Sequence, residues 1–159
     1  MIFVVLGSQK FQFNRLLKSL DEAISNKKIN DKIFAQIGYS DYKPINYEYQ
    51  DFIDREEYKA KLKEADIVIC HGGTGVIVEA VKNEKKVIAI GRLAQYNEHV
   101  DDHQLQIISQ FTDANMIACV EDADKIPEKL KEIENMTFEK YVSNQKTINS
   151  YLKEYIDGI

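Results

Sequence analysis

The chain opens on an unbroken apolar run, Met1-Ile2-Phe3-Val4-Val5-Leu6, that stops at Gly7. Consecutive apolar positions suit a strand covered on both faces, since a half-exposed strand would alternate. From Phe13 the spacing changes: Phe13, Leu16, Leu17, Leu20 and Ile24 recur every three or four residues, which predicts an amphipathic helix to about Asn26. The alternation then repeats. Lys32-Ile33-Phe34-Ala35-Gln36-Ile37 runs into Gly38, and after a tyrosine-rich connection containing Pro44 a third strand is expected over residues 47–53. Asp54, with Glu56 and Glu57 behind it, reads as the N-cap of a helix reaching about Glu64. Asp66-Ile67-Val68-Ile69-Cys70 is the fourth strand, and a helix with Val76, Ile77, Ala80 and Val81 on its apolar face follows it after a glycine-rich turn. Strands are predicted over residues 86–90 and 116–120, with a helix over about 100–111 between them. Two further helices are expected, from about Asp124 and from about Phe138.

Strands that alternate with helices of 10 or more residues build β-α-β units, so the predicted architecture is a doubly wound α/β fold. Its sheet is mainly parallel, six-stranded and Rossmann-like, and residues 1–159 form a single domain. In such sheets ligands sit outside the carboxyl ends of the strands. The segments just after Leu6, Ile53, Cys70 and Ile90 are therefore where chemistry is expected.

Composition narrows the partners. The 21 basic and 26 acidic residues of the 159 give a net charge of -5, and lysines are interleaved with acids, as in Lys59-Ala60-Lys61-Leu62-Lys63-Glu64. Without a basic stripe, nucleic-acid binding is not expected. Cys70 and Cys119 each fall inside an apolar run and are expected to be buried thiols. No secretory leader pattern precedes the first strand, and no run approaches the ~18 apolar residues of a membrane span. A cytoplasmic protein is expected, touching a membrane only through a partner.

The candidate chemistry gathers at two places. His71-Gly72-Gly73-Thr74-Gly75 lies between a strand and a helix, where free N–H groups and the helix dipole favour an anion such as a diphosphate. It is not a P-loop, because no Lys-Ser or Lys-Thr follows, and Val78 stands where a dinucleotide fingerprint would have its third glycine. Glu79, five residues beyond Thr74, is able to accept hydrogen bonds from a ribose diol, or simply to face solvent. Glu98-His99-Val100-Asp101-Asp102-His103-Gln104 reaches the same edge after the fifth strand, and its polar groups suit sugar hydroxyls. A metal site or an N-capped helix start are the other readings of that segment. Gly7-Ser8-Gln9 is a second phosphate-facing turn, and Asp122-Ala123-Asp124 is either a metal-binding D-x-D or a helix start.

Taken together, Val4-Val5-Leu6-Gly7-Ser8-Gln9, Asp51-Phe52-Ile53, the run from Ala65 through Gly75 with Glu79-Ala80, and Asp101-Asp102-His103-Gln104 resemble the C-terminal domain of family 28 glycosyltransferases. The resemblance spans most of the chain. It is nearest to the short, free-standing members, such as the catalytic subunit of the split GlcNAc transferase of the dolichol pathway and the subunits of bacterial capsule and exopolysaccharide synthesis. One departure is that Lys10 and Phe11 follow Gly-Ser-Gln, where the related peptidoglycan enzyme has a small residue.

The resemblance implies half of a GT-B fold, holding a UDP-sugar, with the acceptor bound by a separate membrane-anchored subunit. It places Gly73, Thr74 and Gly75 on the diphosphate, flanked by Gly7 and Ser8, with His71 and Gly72 in the same turn. Glu79 falls on the ribose, Phe52 and Ile53 on the uracil, and Asp102 with Gln104, next to His103, on the donor sugar. Transfer of a hexose, galactose or glucose ahead of GlcNAc, to a lipid-linked acceptor is then expected, with inversion and with no metal or cofactor. The general base is expected on the partner, with His71 and His99 the candidates in this chain. Two other functions stay open on these residues: a non-catalytic UDP-sugar-binding or stabilising subunit, and a nicotinamide-dependent oxidoreductase.

Overall fold

The structure, a computed structural model, describes residues 1–7, 10–91, 93–96 and 103–141, with the backbone alone at Ala94 and His103. The strands are β1 (Ile2–Val5), β2 (Ile33–Gln36), β3 (Glu48–Gln50), β4 (Ile67–Cys70), β5 (Lys86–Ala89) and β6 (Ala118–Cys119). The helices are α1 (Asn14–Ser25), α2 (Arg55–Glu64), α3 (Thr74–Lys82), α4 (His103–Asp113) and α5 (Ile126–Ile133). The strands form one sheet in the order β3-β2-β1-β4-β5-β6, and every pair is parallel. This is the doubly wound Rossmann-like sheet that the alternating pattern predicts.

The apolar runs are continuous because both faces of the sheet are covered. Ile2, Val4 and Leu6 point to one side, where α1 contributes Leu16, Leu17 and Leu20 and α5 contributes Ile126, Leu130 and Ile133. Phe3 and Val5 point to the other, against Leu62 of α2, Ile77 and Ala80 of α3, and Ile107 and Phe111 of α4. Cys70 belongs to this second core and is fully buried, which pushes its thiol up to about 12. It is a small core residue rather than a nucleophile.

Register sets the site. Val5 pairs with Gln36 on one side and Cys70 on the other, and Cys70 pairs with Ala89, so these strands finish at one level. After β1 the chain moves outward to β2 and β3, then returns to β4 on β1's other side. The connections leaving β1 and β4 diverge, and the crevice that such a switch opens is the usual ligand position.

Several element bounds differ from the pattern. The outer strands are shorter than expected, with three residues in β3 and two in β6, since each has a single neighbour to pair with. Ile53, expected within β3, lies beyond it, and its N–H binds the Gln36 side chain at 3.2 Å. The fourth helix is described from His103, and residues 97–102 lie outside the described residues. Residues 136–141 are irregular, with Phe138 packed against the core, and the rest of the helix expected from about Phe138 lies outside the described residues. Among the described residues no helix is long and apolar enough to cross a membrane.

The connection from β2 to β3 is polar yet firmly held, because it exchanges hydrogen bonds with α1 and its N-cap. Asn14 Oδ1 takes the N–H groups of Asp41 and Tyr42 at 2.8 and 3.0 Å, and Ser40 Oγ takes that of Phe13 at 2.9 Å. Asp21, 3% exposed, receives the Tyr42 hydroxyl at 2.7 Å and the N–H groups of Ile45 and Asn46 at 2.8 Å each.

Candidate functional site

The turn after β4 is built by close packing around one imidazole. His71 is 6% exposed, and its Nδ1 lies 3.3 Å from Gln104 Nε2. A Cβ on Gly73 would stand 2.2 Å from His71 Cε1, and one on Gly7 would stand 2.6 Å from Nε2. The ring therefore occupies a slot between two glycines, one from each of the diverging turns. Gly7 also has φ of +75°, a left-handed conformation that glycine adopts without strain. Gly72 has a different reason to lack a side chain: its Cβ would meet Gln104 Cβ at 2.6 Å, so glycine here lets the start of α4 close onto the turn.

The contrast comes at Gly75, where an added Cβ would meet nothing within 4 Å. The turn is thus packed on one side and open on the other. Its open side is the beginning of α3, whose N-cap, Gly73, has no side-chain cap. The first helical bond runs from Ile77 N–H to Gly73 O, so helix geometry leaves the N–H groups of Thr74, Gly75 and Val76 without partners inside the helix. The neighbouring α2 is capped by Asp54, which accepts the Glu57 N–H at 2.8 Å, whereas α1 and α5, like α3, have no side-chain cap. Thr74 is what sets this helix start apart. Its hydroxyl is buried and has no hydrogen-bond partner among the described residues. A buried hydroxyl normally finds one, because desolvating it alone costs on the order of 1–3 kcal/mol. Free amides, the positive end of a helix and an unspent hydroxyl form a cradle for an anion.

Glu79 lies one and a half turns along α3, with its side chain 25% exposed. Both of its oxygens are engaged by Arg55 at the start of α2, Nη2 to Oε1 at 2.7 Å and Nη1 to Oε2 at 3.1 Å. Glu79 is thus a partly exposed carboxylate held by a forked ion pair. Phe52 and Ile53 follow β3 at the same edge. Phe52 is 45% exposed and meets Tyr39, itself 47% exposed, edge to face at 5.2 Å. Ile53 is half-buried against the core.

Gln104 is 1% exposed, with its amide toward His71, which places it beneath the turn rather than on the open edge. His103 is the first residue of α4. Ser8, His99 and Asp102 lie outside the described residues. Asp122 caps the turn by accepting the Asp124 N–H at 3.1 Å, and Asp124 accepts the hydroxyl of Ser19 on α1 at 3.0 Å. That favours the helix-start reading of this D-x-D over the metal one.

Three contributors were not legible in the sequence. Arg55 sits in a charged helix start, and Tyr39 in a tyrosine-rich loop, with nothing to set either apart. Arg15 lies over the Tyr96 ring at 4.9 Å and the Phe13 ring at 5.4 Å and donates to Gly91 O at 3.4 Å. With Gln12 Nε2 bound to Tyr96 O at 2.9 Å, it ties the start of α1 to the segment after β5.

Comparison with known proteins bears on the fold. MurG of Acinetobacter baumannii superposes with a TM-score of 0.57 at 19% identity, over 83% of this chain and 41% of that one. The glycotransferase of kitacinnamycin gives 0.61 at 15% identity, over 86% and 35%. A molybdenum cofactor binding protein from Rippkaea orientalis gives 0.53 at 15% identity, over 84% and 97%. At these identities the likeness shows the fold alone, and the chain spans less than half the length of the first two. No curated protein sequence matches the chain. The model of the glycosyltransferase family 28 C-terminal domain matches residues 1–157, nearly the whole chain, and the chain accordingly belongs to that family as one of its C-terminal domains.

Proposed function

We propose that this domain binds a UDP-sugar and is the donor-binding, catalytic subunit of a two-component glycosyltransferase. The observation that carries the reading is the uncapped start of α3 at the switch point, with the buried, unpartnered Thr74 hydroxyl beside it. In this reading the diphosphate lies on the amides of Thr74 and Gly75, with Gly7 and Ser8 alongside. Glu79 takes the ribose, and the exposed Phe52 with Ile53 borders the uracil. Asp102 is assigned to the donor sugar, with His103 next to it in sequence, while Gln104 supports the turn through His71. The donated sugar is a hexose, galactose or glucose ahead of GlcNAc, and the acceptor is lipid-linked and held by a membrane-anchored partner, as in capsule and exopolysaccharide synthesis.

The chemistry that the geometry supports is direct displacement at the anomeric carbon with inversion. As the bond to UDP breaks, negative charge grows on the departing diphosphate, and the helix start and Thr74 are already oriented to stabilise it. Proton removal from the acceptor hydroxyl is assigned to the partner; of the two candidates in this chain, His71 is enclosed by Gly7, Gly73 and Gln104, and His99 lies outside the described residues.

Two measurements test the donor site. Glu79→Ala is expected to weaken UDP binding by roughly thirtyfold, about 2 kcal/mol for lost bonds to a charged acceptor, and to abolish turnover by the reconstituted pair. Undiminished turnover would identify the chain as a stabilising subunit instead. In a thermal-shift comparison, UDP at 100 times its dissociation constant adds about 2.7 kcal/mol of stability, and NAD is expected to add none.

Thr74→Val separates affinity from folding. Valine keeps the shape and removes the unpartnered hydroxyl, so the free protein is expected to gain on the order of 1 kcal/mol while UDP affinity drops about fivefold. Calorimetric titration together with urea unfolding reads both. A variant that lost stability and kept its affinity would show that Thr74 serves the fold.

A further inference from the structure

Resting on the reading of Glu79 as the ribose ligand, we propose that Arg55 is a positioning residue for nucleotide recognition, holding the Glu79 carboxylate in the orientation a ribose diol needs. Two parallel N–H···O bonds, at 2.7 and 3.1 Å, fix the plane of the carboxylate as well as its position. An ionised carboxylate has about four acceptor directions, two on each oxygen. The parallel fork takes the inward-facing direction of each oxygen, which leaves the outward-facing direction of either oxygen open to a ribose hydroxyl. A carboxylate already fixed in place loses less rotamer freedom when the diol arrives.

Arg55 is itself held. It follows the Asp54 cap at the first position of α2, and its Cζ lies 5.4 Å from the centre of the Tyr58 ring. Tyr58 meets Phe3 of β1 edge to face at 5.3 Å, so the core of the sheet reaches the Glu79 carboxylate through Tyr58 and Arg55 in turn. The Arg55 side chain is 62% exposed, and an ion pair that open adds little to folding. Its geometry, rather than its contribution to stability, accounts for it.

The test is calorimetric titration of the full chain with UDP and with 2′-deoxy-UDP, using the wild type, Arg55→Ala, Arg55→Lys, Glu79→Ala and the Arg55→Ala/Glu79→Ala pair. The wild type is expected to prefer UDP. Arg55→Ala should cut that preference about fivefold through UDP alone, leaving 2′-deoxy-UDP within about twofold, and the double variant should match Glu79→Ala, as coupled residues do. Lysine, with no fork, should restore less than half of the loss in free-energy terms; it also serves as the readout if the alanine variant folds poorly. If Arg55→Ala keeps the preference while Glu79→Ala abolishes it, the positioning role is wrong and the ribose assignment stands. Equal weakening toward both nucleotides also overturns the positioning role. If Glu79→Ala keeps the preference, the ribose assignment fails and the role of Arg55 with it.

Discussion

Asp21→Ala is expected to lower the stability of the domain by about 3 kcal/mol, near the upper end for a single side chain. The carboxylate is almost fully buried and is the common acceptor for the Tyr42 hydroxyl and for the Ile45 and Asn46 N–H groups. Alanine leaves three donors facing a void, in a connection with no strand or helix of its own. For a chain of this size the melting temperature should fall by roughly 10 °C. Asp21→Asn is the sharper control, since its amide keeps one acceptor but turns an N–H group toward the donors, and it should recover only part of the loss.

The same site makes a pH prediction. Burial pushes the Asp21 carboxyl upward, but the bonds from Tyr42, Ile45 and Asn46 outweigh it and hold the group below its usual range. A carboxyl depressed in the folded state adds stability above its unfolded pKa, and that share disappears as pH falls through the folded value. The gap between wild type and Asp21→Asn in urea midpoints should therefore be full at neutral pH and shrink below about pH 4. A constant gap down to pH 2 would mean that the carboxylate charge is not what holds the connection.

How much of this was legible beforehand follows from the range of each interaction. The strand order and the two covered faces rest on local apolar runs, such as residues 1–6 and 66–70, which announce themselves. The turn after β4 was legible for the same reason, because glycines crowded between a strand and a helix have few other uses. Asp21 was not: within Leu20-Asp21-Glu22 it looks like one more solvated helix acid, and its partners are 21 to 25 residues away. The Arg55–Glu79 pair, 24 residues apart, was hidden likewise in the charge-rich stretch Arg55-Glu56-Glu57. Gln104 misled by type. A polar residue beside two acids and a histidine suggests an exposed binding edge, but Gly72 lets α4 approach until the amide is enclosed. Local pattern thus located the turns at this sheet edge, and contacts between distant elements decided which side chains are enclosed there.

The turn itself is best probed by a pair of alanines two residues apart. At Gly73 the new methyl would overlap the His71 ring at 2.2 Å, and the ring has little room to move, with Gly7 on its far side and Gln104 against Nδ1. Overpacking of this kind costs about 1–3 kcal/mol, and relief requires the turn to shift away from the start of α3. Gly73→Ala should thus be destabilised by about 2 kcal/mol and should bind UDP at least about a hundredfold more weakly, since displacing the amides by an ångström removes several charge-assisted bonds together. At Gly75 the methyl meets nothing within 4 Å, and alanine is the better helix former, so Gly75→Ala should be neutral or slightly stabilising in urea. Its effect on UDP is diagnostic, because that open space is where the diphosphate is proposed to lie. A methyl group there should weaken UDP binding about tenfold in a protein that folds as well as the wild type. Unchanged affinity in Gly75→Ala would move the nucleotide away from this turn, whatever Gly73→Ala does.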